Sequence, residues 1–312
     1  MTTSALLHPP SEGTTSRRSR SAQVLLLAAV LLWSANFTAV KYSLTHGFSP
    51  LSFAAVRWTF AAVALSAVTL RFEGSLRFQR RDIPLLIGVA GGGFWFNQMS
   101  LVFAIHLAPA STIALIFGLF PILVALLSHA CGVERLKLRH GVAVVVSFAG
   151  AALVAIGART ALGGHFGGIL FGVANAFFFA SFAVVVVPLM RRYSPYRITA
   201  VASVVCSALL AITGGPNLVR QDWGGVSNWA WFALTYSATS LVIGNILWLK
   251  ALRLVGPGRA SLYSNFQAFP AAVLAFVILS EPLSGLQIVG GAVIALGILL
   301  AHSERTPAPS LE

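Results

Sequence analysis

Apolar residues run along this chain in blocks of about twenty, separated by short stretches rich in charge, proline or glycine. Reading between the breaks gives ten blocks: 23–45, 50–70, 83–105, 110–131, 140–158, 167–190, 197–214, 228–250, 260–279 and 283–301. A helix needs about 20 apolar residues to cross the hydrocarbon core of a bilayer, so each block predicts one membrane-crossing helix. The pattern predicts an all-α integral membrane protein of ten transmembrane helices. Little chain is left over, so any binding must occur within the helices or at their mouths. Residues 1–21 and 303–312 are expected to be tails, the first of them flexible. Arg17, Arg18 and Arg20 ahead of an apolar run imitate a signal peptide. That run is too long, however, and Trp33, Asn36 and Lys41 stand where a small-residue cleavage site belongs.

Two blocks are interrupted by proline, and the interruptions correspond. "ALIFGLFPILVALL" (114–127) carries Pro121, and "SLYSNFQAFPAAVLAF" (261–276) carries Pro270, 149 residues later. Other pairs keep nearly the same offset: Ser49-Pro50 and Ser194-Pro195 at 145, Asn97 and Asn245 at 148, Glu134 and Glu281 at 147, Gly150 and Gly297 at 147. A shared order at a near-constant offset marks a duplication, 22–158 and 159–302, of a five-helix unit. Five is odd, so the second copy enters the membrane from the opposite side and the repeats are inverted. Secondary transporters recurrently use this architecture, with substrate near the midplane between the halves and helix interruptions at matching positions. Proline deletes a backbone donor and crowds the carbonyl four residues back, which is expected to leave the carbonyls of Phe117 and Phe266 without their usual partners. Phe117, Pro121, Phe266 and Pro270 are therefore candidate gating or cavity elements, with kinking for packing alone as the alternative.

Composition agrees with the pattern. Hydrophobic residues make up 57% and charged residues 9%, with a mean hydropathy of +0.84, whereas soluble domains are about 25% charged. The net charge of +13 would suit nucleic acid, but its placement does not. With the amino terminus in the cytoplasm, seventeen of the 21 Lys and Arg fall on the inner side: Arg17, Arg18 and Arg20, then Arg71, Arg77, Arg80 and Arg81, then Arg135, Lys137 and Arg139, then Arg191, Arg192 and Arg197, then Lys250, Arg253 and Arg259, and Arg305. This positive-inside pattern puts both termini in the cytoplasm of a bacterial-type inner membrane, and it leaves no basic, aromatic-interleaved stripe for nucleic acid. Cys131 and Cys206 fall on different helices and read as buried small side chains. No metal, cofactor or oligomeric partner is expected. An intramembrane enzyme would need a buried acid pair, a Ser-His couple or a metal cluster, and the sequence contains neither HExxH nor GxSxG. A water-filled channel is a further alternative, disfavoured by the duplicated halves.

Polar residues deep in apolar helices are costly and so are functional candidates. Trp33 and Asn36 share a face of the first helix and, at the offset of 145, align with Phe178 and Ser181 in the sixth. An aromatic plate beside a hydrogen-bonding group suits a solute with an apolar body and a polar head; Asn36 bonding a neighbouring helix is the alternative. Arg57 lies roughly 10 Å into the second helix. None of the eight acidic residues (Glu12, Glu73, Asp82, Glu134, Asp222, Glu281, Glu304, Glu312) lies mid-helix to meet it. Arg57 either snorkels to the outer surface or lines the cavity, where a substrate carboxylate can partner it. Lys41, nearer the outer end, reads as a snorkelling anchor. Tyr263 and Gln267 on the ninth helix, and Trp95 and Asn97 beside Gly91, Gly92 and Gly93 on the third, complete the candidate substrate-binding set. The glycines read as a packing surface or hinge, since no Lys-Ser/Thr of a phosphate loop follows. Asn175 and Asn245 are further polar candidates. With no acid at a helix centre, transport is expected to proceed without tight ion coupling.

The segments "FPILVALLSHACGVERLKLRHGVAVVVSFAG" and "FPAAVLAFVILSEPLSGLQIVGG" repeat a helix with central proline, a glutamate and a glycine-bearing final helix. In these, and in "LLWSANFTAVKYSL" and "SPLSFAAVRW", the chain resembles the EamA-type members of the drug/metabolite transporter superfamily over nearly all of 22–302, and among them the YddG-type exporters of aromatic and other neutral amino acids. One departure is that Glu134 follows Pro121 by thirteen positions while Glu281 follows Pro270 by eleven. The resemblance implies a ten-helix inner-membrane carrier that exports small metabolites. Amino-acid-like solutes come first, with other metabolites or lipophilic drugs as alternatives.

Overall fold

A computed structural model describes residues 12–132, 138–162 and 166–302, which contain no strand and form ten helical rods. These are α1 (Glu12–Thr45), α2 (Pro50–Glu73), α3 (Arg80–Leu107), α4 (Ala110–Ala130), α5 (Leu138–Leu162), α6 (Phe166–Met190), α7 (Pro195–Arg220), α8 (Asn228–Val255), α9 (Pro257–Tyr263, Ser264–Gln267 and Ala268–Leu279, end to end) and α10 (Gly285–His302). Seven of them, α1 to α4 and α6 to α8, are long and apolar enough to cross a membrane. The apolar parts of the other three are shorter: Val142–Gly157, Ala268–Leu279 and Gly285–Gly297. α1 begins at Glu12, so helix extends into the segment expected to be a tail. Glu134 lies outside the described residues.

The repeated Ser-Pro marks matching helix starts. Pro50 and Pro195 each occupy the first helical turn, where their fixed φ is preorganised and the missing N–H has no intrahelical partner to lose. Ser194 Oγ accepts from Arg197 N at 3.1 Å, and Ser227 Oγ accepts from Ala230 N at 3.1 Å at the start of α8. Each such cap satisfies an otherwise orphaned donor.

The two proline interruptions take the same form. A 3₁₀ turn, Phe117–Leu119, precedes Pro121, and another, Ser264–Gln267, precedes Pro270. Their starts are 147 residues apart, the repeat offset. The tightened turn corrects the expectation for Phe117: its carbonyl accepts from the Phe120 N–H, so the i→i+3 bond replaces the one Pro121 cannot make. Phe266 is about half exposed, at 51%, and so faces away from the interior.

Contacts between the halves reveal their relation. Along α2 and α7, Leu51 lies beside Gly214, Thr59 Oγ1 and Ser207 Oγ are 2.8 Å apart, and Thr69 Oγ1 donates to the Tyr196 carbonyl. The two rods are therefore antiparallel. Shifting by 145 turns the pair Leu51 and Gly214 into Tyr196 and Thr69, which also touch. The same exchange holds for α5 and α10. Gly150 meets Gly290 and Ile294, and 147 residues on Gly297 meets Ala143 and Ser147. A two-fold operation that swaps antiparallel, touching helices must have its axis perpendicular to them. The repeats are thus related by a pseudo-dyad across the bundle.

Glycine makes the α5–α10 contact possible. A Cβ built on Gly150 would stand 2.7 Å from both the Gly290 oxygen and the Ile294 nitrogen, backbone atoms that cannot rotate away. Close approach through small residues is how helices associate in membranes. Gly150→Ala is expected to destabilise by about 1–3 kcal/mol, read as a lower melting temperature in detergent, whereas Gly91→Ala, where an added Cβ meets nothing within 4 Å, should leave it unchanged.

Candidate functional site

The central cavity, ≈ 80 Å³, lies between the repeats. Its aromatic wall comes from both halves: Trp33, Phe37 and Phe117 from the first, and Phe179 from the second. The rings are in mutual contact, with Trp33 edge-on to Phe179 at 5.5 Å and Phe117 5.8 Å from Phe179. Gly244 admits Trp33, since a Cβ there would collide with the indole. The volume holds a few waters and is well below the roughly 300 Å³ at which pockets enclose drug-sized ligands. Hydrogen bonds tie the two halves together at both ends of the bundle.

Arg57 forms the polar wall. It is 2% exposed, which decides between its two readings: the side chain does not snorkel to a surface. One terminal nitrogen donates to Gln98 Oε1 at 2.5 Å; the other donates to Ser237 Oγ at 2.9 Å and reaches Asn36 Oδ1 at 3.5 Å. Ser237 Oγ in turn donates to Asn36 at 2.5 Å. Phe53 lies with its ring centroid 5.6 Å from the guanidinium. All these partners are neutral, so the positive charge is oriented without being compensated. An uncompensated buried charge is a costly element unless something else meets it.

Four buried polar atoms on the cavity wall have no partner among the described residues: Arg57 Nε, Trp58 Nε1, Gln98 Nε2 and Gln267 Oε1. An unsatisfied buried group costs about 1–3 kcal/mol. The other amides are engaged. Asn97 and Asn175 each donate to the other's carbonyl, at 3.0 and 3.1 Å, stitching α3 to α6, and Asn245 donates to Leu241 O on its own helix at 2.9 Å. α3 enters this region through a π-helical stretch, Val89–Phe96, a geometry frequent at functional sites.

Of the residues anticipated from sequence, Trp33, Asn36, Arg57, Asn97, Gln267 and Phe117 line the cavity. The others do not. Phe178 stacks on Phe96 at 5.1 Å away from it, Ser181 donates to Phe177 O on its own helix, Trp95 reaches towards Thr213 at 3.5 Å, and Tyr263 packs against the core. Phe179 takes the place assigned to Phe178, because α6 aligns with α1 at an offset of 146 and a one-residue slip turns a helix by about 100°. Ser237 belongs to the site and was not singled out, and Gln98, noted beside Asn97 in the sequence, belongs to it though it was left out of the candidate set. The adjacent "NQ" at 97–98 was the available signal, but the π-helical stretch rotates α3 so that both amides face inward.

The ends of the bundle carry further corrections. Lys41 does not snorkel: its Nζ donates to the carbonyls of Ile105 and Ala108, at 2.8 and 3.0 Å, where α3 ends. Beside it Glu281 accepts from Ala110 N and Ser111 N, each at 3.0 Å, and from Ser111 Oγ at 2.9 Å, capping α4 across the repeat boundary. The loops α1–α2 and α7–α8 are joined by Gln221, which donates to Gly47 O and accepts from Ser49 N. At the opposite end Asp82 binds Arg192 and Tyr193, and Glu73 binds Ser194 and Arg197. Cys131 is exposed, not buried, while Cys206 is buried.

A helical bundle of two repeats, apolar enough to cross a membrane and with a polar-walled cavity between the repeats, has the architecture of a membrane transporter. The EamA-like transporter family matches the chain twice, at residues 20–156 and 166–302, and the chain belongs to that family. Its relatives include YyaM of Bacillus subtilis (strain 168), an uncharacterized transporter, 25% identical over 292 residues covering 89% of this chain and 92% of that protein. A probable terminal-alkyne amino-acid exporter of Streptantibioticus cattleyicolor is 28% identical over 291 residues, 89% of this chain and 92% of that protein. A solved crystal structure shares the fold with a TM-score of 0.64 at 23% identity, covering 91% of this chain and 96% of that one.

Proposed function

We propose that this transporter exports small organic solutes, aromatic or other neutral amino acids foremost, by alternating access of the central cavity to the two membrane faces. All ten rods cross the inner membrane in this reading, the five-helix halves enter from opposite sides, both termini are cytoplasmic, and one chain suffices. The observation that carries the substrate is Arg57, a buried cation on the cavity wall whose partners, Gln98, Ser237 and Asn36, leave its charge unmatched. A carboxylate supplies that match through charge-assisted hydrogen bonds. The aromatic wall of Trp33, Phe37, Phe117 and Phe179 receives the apolar part. The Streptantibioticus relative, an amino-acid exporter by name, supports the same class.

Counterflow in proteoliposomes tests this reading. Vesicles loaded with an unlabelled amino-acid mixture should accumulate labelled amino acids, and those loaded with the corresponding decarboxylated amines should not. Because no helix centre carries Asp or Glu, the initial rate should be unchanged by an imposed proton gradient at fixed potential. Amines driving counterflow as well as amino acids do would refute the role of the carboxylate.

A further inference from the structure

The unpartnered atoms of the cavity have a composition of their own. Three are donors, Arg57 Nε, Trp58 Nε1 and Gln98 Nε2, and one, Gln267 Oε1, is an acceptor. Arg57 fixes the sense of the Gln98 amide: its Oε1 already accepts the guanidinium N–H, so the nitrogen is the end left to donate. Gln267 sits in the 3₁₀ turn of α9 and is held there by Ser34 Oγ, which donates to its carbonyl at 3.1 Å. Its side chain is 4% exposed as part of a buried residue. Buried polar groups are normally satisfied; of the eleven buried side-chain atoms left over among the described residues, these four belong to residues that line one cavity.

A ligand that met them would need acceptors with negative charge for the donor set and a donor for Gln267. A simple carboxylic acid leaves Gln267 unmet. An amine meets Gln267 but places a second cation beside Arg57 and leaves three donors idle. A free α-amino acid carries both groups on adjacent bonds. We infer that the cavity reads the zwitterionic head group, carboxylate towards Arg57 and Gln98 and ammonium towards Gln267 Oε1, and so discriminates against N-acylated and esterified amino acids. This rests on the proposed export of amino acids and adds the chemical state in which they are recognised. The cavity, at ≈ 80 Å³, accommodates the head group first. The rest of the solute enters the aromatic wall as the halves part.

The test uses the purified full chain in detergent, titrated with a mixture of the proteinogenic amino acids, the same mixture N-acetylated, and the same mixture as methyl esters, with melting temperature as the readout. The free mixture should half-saturate at a concentration about tenfold or more below either derivative, the loss expected when a charged group forfeits its hydrogen bond. Gln267→Leu should bring the free and N-acetylated mixtures to within about twofold of each other. Gln267→Glu, which keeps an acceptor, should restore the preference. N-acetylated amino acids binding wild type as tightly as free ones would overturn the inference while leaving amino-acid export intact, and an unchanged preference in Gln267→Leu would remove Gln267 from it. No response to any of the three mixtures would instead bring down the export reading, and this inference with it.

Discussion

Arg57→Leu is expected to abolish transport while leaving the protein at least as stable as wild type. Truncating one side of a buried charge pair costs about 2–5 kcal/mol of binding, so uptake at sub-saturating substrate should fall by about 100-fold. Stability should respond differently. The guanidinium is buried against neutral partners only, and an apolar residue of similar volume in place of a buried charge is often neutral or stabilising by about 1–4 kcal/mol. Gln98 and Ser237 each lose a guanidinium donor, but Ser237 and Asn36 keep the hydrogen bond between them, so the loss falls mainly on Gln98. Counterflow and thermal melting on the same preparation separate the possibilities. A variant that melts far earlier yet still transports would make Arg57 a structural residue.

Glu281→Ala should have the largest effect on stability. One carboxylate satisfies Ala110 N, Ser111 N and Ser111 Oγ, donors at the start of α4, where negative charge also favours the helix dipole. Losing a cap costs about 0.5–2 kcal/mol, and the buried setting and extra donors raise the expected loss to about 3 kcal/mol. Because the tie crosses from the second repeat to the first, its removal should also open that end of the bundle. Thr112, buried and bonded to Gln287, reports the opening: in a Cys131→Ser background, a Thr112→Cys thiol should react with maleimide faster when Glu281 is alanine. Glu281→Gln, which keeps an acceptor, should lie between. Unchanged melting and unchanged labelling in Glu281→Ala would show that the cap holds nothing together.

The apolar blocks and the repeat offset foretold the rods, their order and the matching interruptions, because those follow from hydropathy and from residues, Ser-Pro, glycine and proline, whose backbone effects are local. Arg57 and Gln267 were legible for a related reason: a polar group in an apolar helix is conspicuous wherever it points. Facing was less legible. Placing Phe178 instead of Phe179 came from an offset set at the α2 and α7 starts and carried to α6, and an error of one residue exchanges a cavity wall for an outer surface. Gln98 was hidden by the π-helical turn of α3, which no hydropathy period reports. Ser237 was hidden because a hydroxyl in a long apolar helix commonly serves its own backbone. The destinations of Lys41 and Glu281 depended on which helix ends the fold brings together, and that is a property of three-dimensional assembly.

The pseudo-dyad relates the two mouths of the bundle in shape but not in chemistry. One mouth is fastened by partly exposed Arg192–Asp82 and Arg197–Glu73 contacts, the other by an amide clasp at Gln221 and a buried carboxylate at Glu281. Dissolved ions screen exposed charge pairs far more than neutral or buried contacts. In the proposed alternating-access cycle, opening the two mouths should therefore cost unequal energies, with the difference depending on the ionic strength at the charged mouth. On that proposal, halves alike in shape would still favour one resting orientation over the other.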